Sequence, residues 1–220
     1  MTKCCLLLHG FTGSPFELEP LTEHLQRLGY SCRVPLLPGH DPQLNDLGRI
    51  SWKDWLHAAS EEAGQLAARY GAIDVVGFSM GGLLSAYVAN RYPVRRLVML
   101  SAAAIYVSPL RFLADLAERY RARDLDHLRR AKEVPLRAAL QFINLAKYAK
   151  RQELNRVTQP TLIIQGARDP IVHPRSARYI YSKLRGEKEL VYLPQSKHMI
   201  CHDQEKADVC QKVGSYLLRA

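Results

Sequence analysis

The chain has 220 residues, 47% hydrophobic and 24% charged, proportions that fit a soluble globular protein and exclude a disordered or fibrous one. That length suits one α/β domain with a full core, and the longest apolar stretch, residues 97–107, is broken by Ser101 and falls short of the ~18 residues a membrane span needs. Charge is the unusual quantity: 31 basic against 21 acidic residues give a net +10, which by itself points to nucleic acid, an anionic membrane surface or an acidic substrate.

In chain order, short apolar runs alternate with longer amphipathic ones. The run from Cys4 to His9 is punctuated by Gly10, Gly13 and Pro15. It is too short for the ~7–15-residue core of a secretory signal. Ser14 followed by Glu17 predicts a capping box, and Leu18, Leu21, Leu25 and Leu28 predict the helix it opens, stopped by Gly29. Residues 30–36 read as a strand ended by Pro35 and Pro38-Gly39. Residues 51–70 read as a helix with Trp52, Trp55, Ala59, Ala63 and Leu66 on one stripe, ended by Gly71. Residues 73–78 form a buried strand, and Gly81-Gly82 lead into a helix reaching Tyr92. Residues 96–103, 161–166 and 189–193 are further strands; 176–184 and 205–218 are helices. About six strands separated mostly by helices predict a mostly parallel sheet covered on both faces.

Residues 110–156 break this alternation. They lack a strand-like run, show helical periodicity throughout and are divided by Pro135. The domain reading is therefore a core of 1–109 and 157–220 with a helical insertion at 110–156. That insertion is either an extended crossover helix pair or a lid over a pocket, and the chemistry that follows favours a lid.

Gly77-Phe78-Ser79-Met80-Gly81 is a G-x-S-x-G between an apolar strand and a helix. That setting places Ser79 on a sharp turn with its hydroxyl exposed, and the helix N-terminus offers N–H groups to a developing oxyanion. A serine nucleophile needs a base, and the base needs an orienting acid, expected downstream in the order acid, then His. Asp169 is the only carboxylate in the loop after the 161–166 strand, and His198 lies in the loop after the last strand. Such strand-end loops carry the sites of open α/β sheets. His202 is the fallback base, and Asp203 is expected to cap the last helix. The two oxyanion donors are expected to be the Met80 N–H and the Phe11 N–H of the 9–13 turn, with His9 holding that turn by a structural hydrogen bond. The five cysteines fit no disulfide or zinc framework and read as free buried thiols of a cytoplasmic protein. Cys201, three residues past His198, is the one positioned to be a reactive thiol.

With these pieces the sequence resembles the α/β-hydrolase superfamily, within it the small bacterial carboxylesterases related to monoacylglycerol lipases. The matching stretches are LLLHGFTGSP (6–15), LPGHD (37–41), GFSMGG (77–82), QGARDPIVHP (165–174) and QSKHMICHDQEK (195–206), spread in order over nearly the whole chain. The resemblance implies an α/β-hydrolase fold with a small helical cap. It also implies Ser79 as nucleophile, Asp169 and His198 as its partners, and Phe11 and Met80 as oxyanion donors. Two departures stand out. The chain starts at the strand before the oxyanion turn, which leaves about six strands and an exposed sheet edge that either favours dimerisation or costs stability, so monomer and homodimer both stay open. Asp41 stands where relatives often carry a second glycine, on the pocket rim.

The expected reaction is hydrolysis of a small-molecule carboxylic ester of short to medium acyl chain, a monoacylglycerol among the candidates, through an acyl-enzyme, with no metal or organic cofactor. Thioester or peptide cleavage on the same triad, and a low-turnover ligand-binding or signalling role, stay open. A nucleic-acid partner is not expected, because no zinc-finger, helix-turn-helix or RNA-binding motif is present. The insertion holds 12 basic and 6 acidic residues, so +6 of the chain's +10 sits there. That concentration is either a solvated helical face or a weak contact with anionic lipid.

Overall fold

The computed structural model describes residues 3–105 and 136–219. Its six strands are β1 (Cys4–Leu8), β2 (Ser31–Arg33), β3 (Ile73–Phe78), β4 (Val94–Leu100), β5 (Thr161–Gly166) and β6 (Lys188–Leu193). They form one all-parallel sheet in the order β2-β1-β3-β4-β5-β6. The central strands β1, β3 and β5 are buried along their whole length, as expected when helices cover both faces. Side-chain alternation divides the core. Leu6, Leu8, Val75, Leu97 and Met99 face one layer, while Cys5, Leu7, Val76, Val98 and Leu100 face the other.

The described helices are α1 (Glu19–Arg27), α2 (Trp52–Tyr70), α3 (Met80–Ala89), α4 (Leu136–Tyr148), α5 (Arg175–Lys183) and α6 (Lys206–Leu218). The α1 and α6 helices cover one face; α2, α3, α4 and α5 contribute to the other. The predicted α2 stripe forms: Trp55, Ala59 and Ala63 are fully buried, and Trp52 and Leu66 pack beside them. Ser51 opens this helix by donating its N–H and hydroxyl to Asp54 Oδ2 at 2.7 and 2.8 Å.

Several expected boundaries move for local reasons. The β2 strand stops at Arg33, ahead of Pro35, whose missing N–H cannot extend a ladder. The β4 strand starts at Val94 and ends at Leu100, because Ser101 turns into left-handed backbone at φ 44°. The Ser14–Glu17 capping box does not form. Pro15–Leu18 is a short 3-10 turn without a side-chain cap, and the Glu17 carboxylate turns elsewhere. Asp203 does not cap α6 either, since Glu205 holds the N-cap position.

Of the predicted insertion, 110–135 including Pro135 lies outside the described residues. Its remainder is α4, then a π turn (Ala149–Glu153) and a 3-10 turn (Leu154–Arg156). The chain steps outward from β1 to β2 and then returns to the other side of β1 to build β3. The reversal opens a crevice beyond the carboxyl ends of β1 and β3, the place where open α/β sheets put their sites.

Candidate active site

Strand β3 delivers Ser79 to that crevice at φ 53° and ψ −113°, just before the first residue of α3. Left-handed backbone at a non-glycine residue costs about 1–3 kcal/mol and persists only when its surroundings over-determine it. Three hydrogen bonds do so here. Ser79 N–H donates to Leu100 O at 2.9 Å, and Ser79 O accepts from Ala103 N–H at 3.1 Å and Gly82 N–H at 3.2 Å. The flanking glycines are required by contact. A Cβ on Gly77 would strike the Gly81 backbone, and one on Gly81 would strike the Leu8 carbonyl. Helix α3 can therefore sit directly on the ends of β1 and β3.

His198 arrives from the loop after β6, which two carboxylates clamp. Glu205 Oε2 accepts the Ser196 hydroxyl at 2.6 Å and Gln195 N–H at 3.0 Å, while Asp203 Oδ2 accepts Lys197 N–H at 2.6 Å. Asp203 thus braces the histidine loop instead of capping a helix. Asp169 arrives from the loop after β5. Its Oδ1 accepts Ile171 N–H and Val172 N–H, both at 2.9 Å, and its Oδ2 faces His198 Nδ1 at 2.7 Å and Gln165 Nε2 at 3.0 Å. An ionised carboxylate only accepts, so Nδ1 carries the imidazole proton, leaving Nε2 to accept the Ser79 hydroxyl at 3.0 Å. Burial works to raise the Asp169 carboxyl, but His198 and the Val172 and Ile171 N–H groups outweigh it and hold it below the ordinary carboxylate range. All three side chains are buried. The structure therefore joins Ser79, His198 and Asp169 in one hydrogen-bonded chain, an arrangement able to move a proton off a serine hydroxyl.

Met80 is the first residue of α3, so its N–H is among the four without an intrahelical acceptor. Phe11 lies across the crevice in the turn after β1. A Cβ on its neighbour Gly10 would sit 3.3 Å from Ser79 Cβ. The Phe11 ring is buried and stacks on Phe142 of α4 at 5.2 Å between centroids, with Trp55 at 5.8 Å. His9 plays the structural part expected of it. Leu37 N–H donates to its Nε2 at 3.0 Å, so Nδ1 bears the proton and donates to Gly10 O at 2.9 Å.

Burial and the neighbouring His40 lower His9 to about 3, and burial lowers His40 to about 4, so both rings are neutral near pH 7. His202 stands apart from the site. Its Nε2 bonds Phe16 O at 2.7 Å and its ring stacks on Phe16. The reactive-thiol reading of Cys201 fails, because full burial, Cys210 and Glu17 push its thiol far up and keep it protonated. Asp41 Oδ1 accepts Gln43 N–H at 3.0 Å, a turn within its own loop.

Gln165 and Ser176 had no predicted part, and Glu17 was expected only in a capping box. Ser176 Oγ donates to Ala102 O at 2.6 Å and accepts from Ala104 and Ile105, pinning the segment that braces Ser79. No local pattern marks it, because its partners are 71–74 residues away. Among the described residues, no group of three or more His, Cys, Asp or Glu side chains is arranged to hold a metal ion, and no helix is long and apolar enough to cross a membrane.

Comparisons with known proteins bear on the family and the fold. A family model described as "Alpha/beta hydrolase family" matches residues 5–211. A thermostable monoacylglycerol lipase of Bacillus sp. (strain H-257) is 30% identical over 219 residues, covering 94% of this chain and 87% of the relative. A carboxylesterase of Bacillus subtilis (strain 168) is 24% identical over 228 residues, covering 98% of this chain and 92% of the relative. A solved structure from the metagenome-derived lipolytic enzymes LipS and LipT superposes with a TM-score of 0.83 at 26% identity, covering 98% of this chain and 93% of that one.

Proposed function

This chain belongs to the alpha/beta hydrolase family, and we propose that within it the chain is a serine carboxylesterase acting on short- to medium-chain esters, monoacylglycerols among them. The observation that carries the reading is the buried relay from Ser79 Oγ through His198 to Asp169, with steps of 3.0 and 2.7 Å. Ester hydrolysis in particular is favoured by relatives named lipase and carboxylesterase along nearly the full chain.

In this reading His198 Nε2 takes the Ser79 proton as Oγ bonds to the ester carbonyl carbon. Asp169 holds the imidazole in the right tautomer and stabilises the imidazolium. The Met80 and Phe11 N–H groups bind the tetrahedral oxyanion. As the C–O bond breaks, His198 passes its proton to the departing alcohol. Water then attacks the acyl-enzyme by the same relay and releases the acid. Residues 1–109 and 157–220 form the hydrolase core and 110–156 the cap, a division supported by the stacking of Phe142 on Phe11 beside the site. A reducing, cytoplasmic setting fits the five free thiols.

A p-nitrophenyl ester series of increasing acyl length, run beside monoacylglycerols, tests the substrate class. Turnover is expected to peak at short to medium chains and to extend to monoacylglycerols. Failure on every ester, with cleavage of a thioester or peptide, would overturn the proposal.

A further inference from the structure

Glu17 looks like the third residue of a capping box, yet its carboxylate leaves that role and enters the turn after β1. Oε2 accepts Gly10 N–H at 2.7 Å, while the Glu17 N–H bonds Ser14 O at 3.0 Å. Gly13 is explained by the same carboxylate, since a Cβ there would collide with the Glu17 carboxyl group. A Cβ on Gly10 would lie 3.1 Å from Glu17 Oε2 and 3.3 Å from Ser79 Cβ, so the carboxylate and the serine side chain flank the same glycine. On the other side of Gly10, its carbonyl accepts His9 Nδ1 at 2.9 Å and Gly13 N–H at 3.3 Å. That carbonyl and the Phe11 N–H belong to one planar trans peptide and point in opposite directions. Fixing both peptides around Gly10 therefore fixes the direction of the Phe11 N–H.

We propose that Glu17 is a positioning residue of the oxyanion hole: its carboxylate clamps Gly10 N–H and thereby aims Phe11 N–H at the ester oxygen above Ser79. The inference rests on the esterase reading and adds a residue to its machinery. Losing one oxyanion donor costs about 10²–10³ in turnover, and misaiming one costs less, on the order of 10–100-fold. Glu17→Ala should lower kcat by that factor with KM nearly unchanged, and should weaken a boronic-acid inhibitor, which mimics the tetrahedral oxyanion, by the same factor. Glu17→Gln retains an acceptor for Gly10 N–H, so kcat should stay within roughly threefold of wild type. Gly13→Ala should push the carboxylate out and reproduce the Glu17→Ala loss, and the double variant should be no worse than either single one.

A residue that merely stabilises the fold would lower the melting temperature without this kcat-specific pattern. Should Glu17→Ala fold poorly, Gly13→Ala and Glu17→Gln still decide the matter. Wild-type kcat in Gly13→Ala, multiplicative losses in the double variant, or a loss confined to KM would overturn the proposal. Phosphonate labelling of wild type separates the layers. No label on Ser79 would overturn the esterase reading and this inference with it. Normal labelling with undiminished Glu17→Ala turnover would overturn the inference alone.

Discussion

Asp169 has no freedom to face His198 in any other way. Its Oδ1 is committed to two backbone N–H groups, so only Oδ2 is left for the imidazole and Gln165. Asp169→Asn would be forced by those N–H groups to keep its amide oxygen on their side and turn its NH₂ toward Nδ1. The imidazole would then carry its proton on Nε2 and could not accept the Ser79 hydroxyl. We expect kcat to fall about 10⁴-fold with the fold intact, as when other triads lose this tautomer; a loss under tenfold would contradict the assignment. The meeting of Ser79, Asp169 and His198 was legible in sequence because strand, turn and chain order narrow the serine and the acid to one position each and leave only His202 beside His198. Glu17 was misread because Ser14-x-x-Glu17 satisfies the capping pattern equally well, and only the folded turn offers the carboxylate a second donor. Gln165 was invisible, since a residue near the end of a strand carries no mark of what its side chain will meet.

At the scale of elements, the return from α4 to the sheet is tied to α3 by one buried carboxylate. The Glu153 side chain is 0% exposed and is paired with Arg91, which is 31% exposed, at 2.9 Å. Glu153 also accepts from Tyr148 at 2.6 Å and Asn90 at 2.7 Å. Burial works to raise the Glu153 carboxyl, and Arg91, Tyr148 and Asn90 together outweigh it and lower it. Arg91→Ala would leave that charge buried without its cation, costing about 3 kcal/mol, or roughly 6–12 °C of melting temperature for a chain this size. The surface pair Arg33–Glu62 is the contrast: Arg33→Ala should cost under about 1 kcal/mol. Equal effects of the two substitutions in thermal melts would refute this difference. Element type was readable from period and punctuation, whereas ends were not. The early stop of β4 depends on Ser101 entering left-handed backbone, which its sequence neighbours do not require. The Asp203 role depends on a loop folding back from six residues away to offer Lys197 N–H.

For the whole molecule, two neutral histidines link folding to acid. His9 and His40 lie 4.9 Å apart between ring centroids, with pKa values lowered to about 3 and about 4 in the folded state, against an ordinary 6.5. The unfolded chain takes up their protons first, so their contribution is fully present above pH 6.5 and is lost as pH falls toward 4. Melting temperature should therefore drop steeply across that window; a flat profile from pH 6.5 to 4 would contradict the buried neutral pair. The +10 charge also acquires a location, with +6 in residues 110–156. If that charge recruits lipid, activity at low salt should be higher on anionic than on neutral vesicles, and equal rates would leave it a solvated face. Sheet order was not legible in sequence. The return of β3 to the far side of β1, which creates the crevice, depends on long-range packing of both core layers.

The proposed reaction turns on a covalent bond to Ser79. Acid-quenching a reaction with a p-nitrophenyl ester and mapping peptides by mass spectrometry reads it directly. We predict an acyl group on the peptide containing Ser79 and nowhere else, with the adduct and all but a 10⁻⁴–10⁻⁶ fraction of turnover, on the order seen for other triad deletions, absent in Ser79→Ala. Turnover retained by Ser79→Ala, or acylation of another residue that tracks turnover, would contradict it.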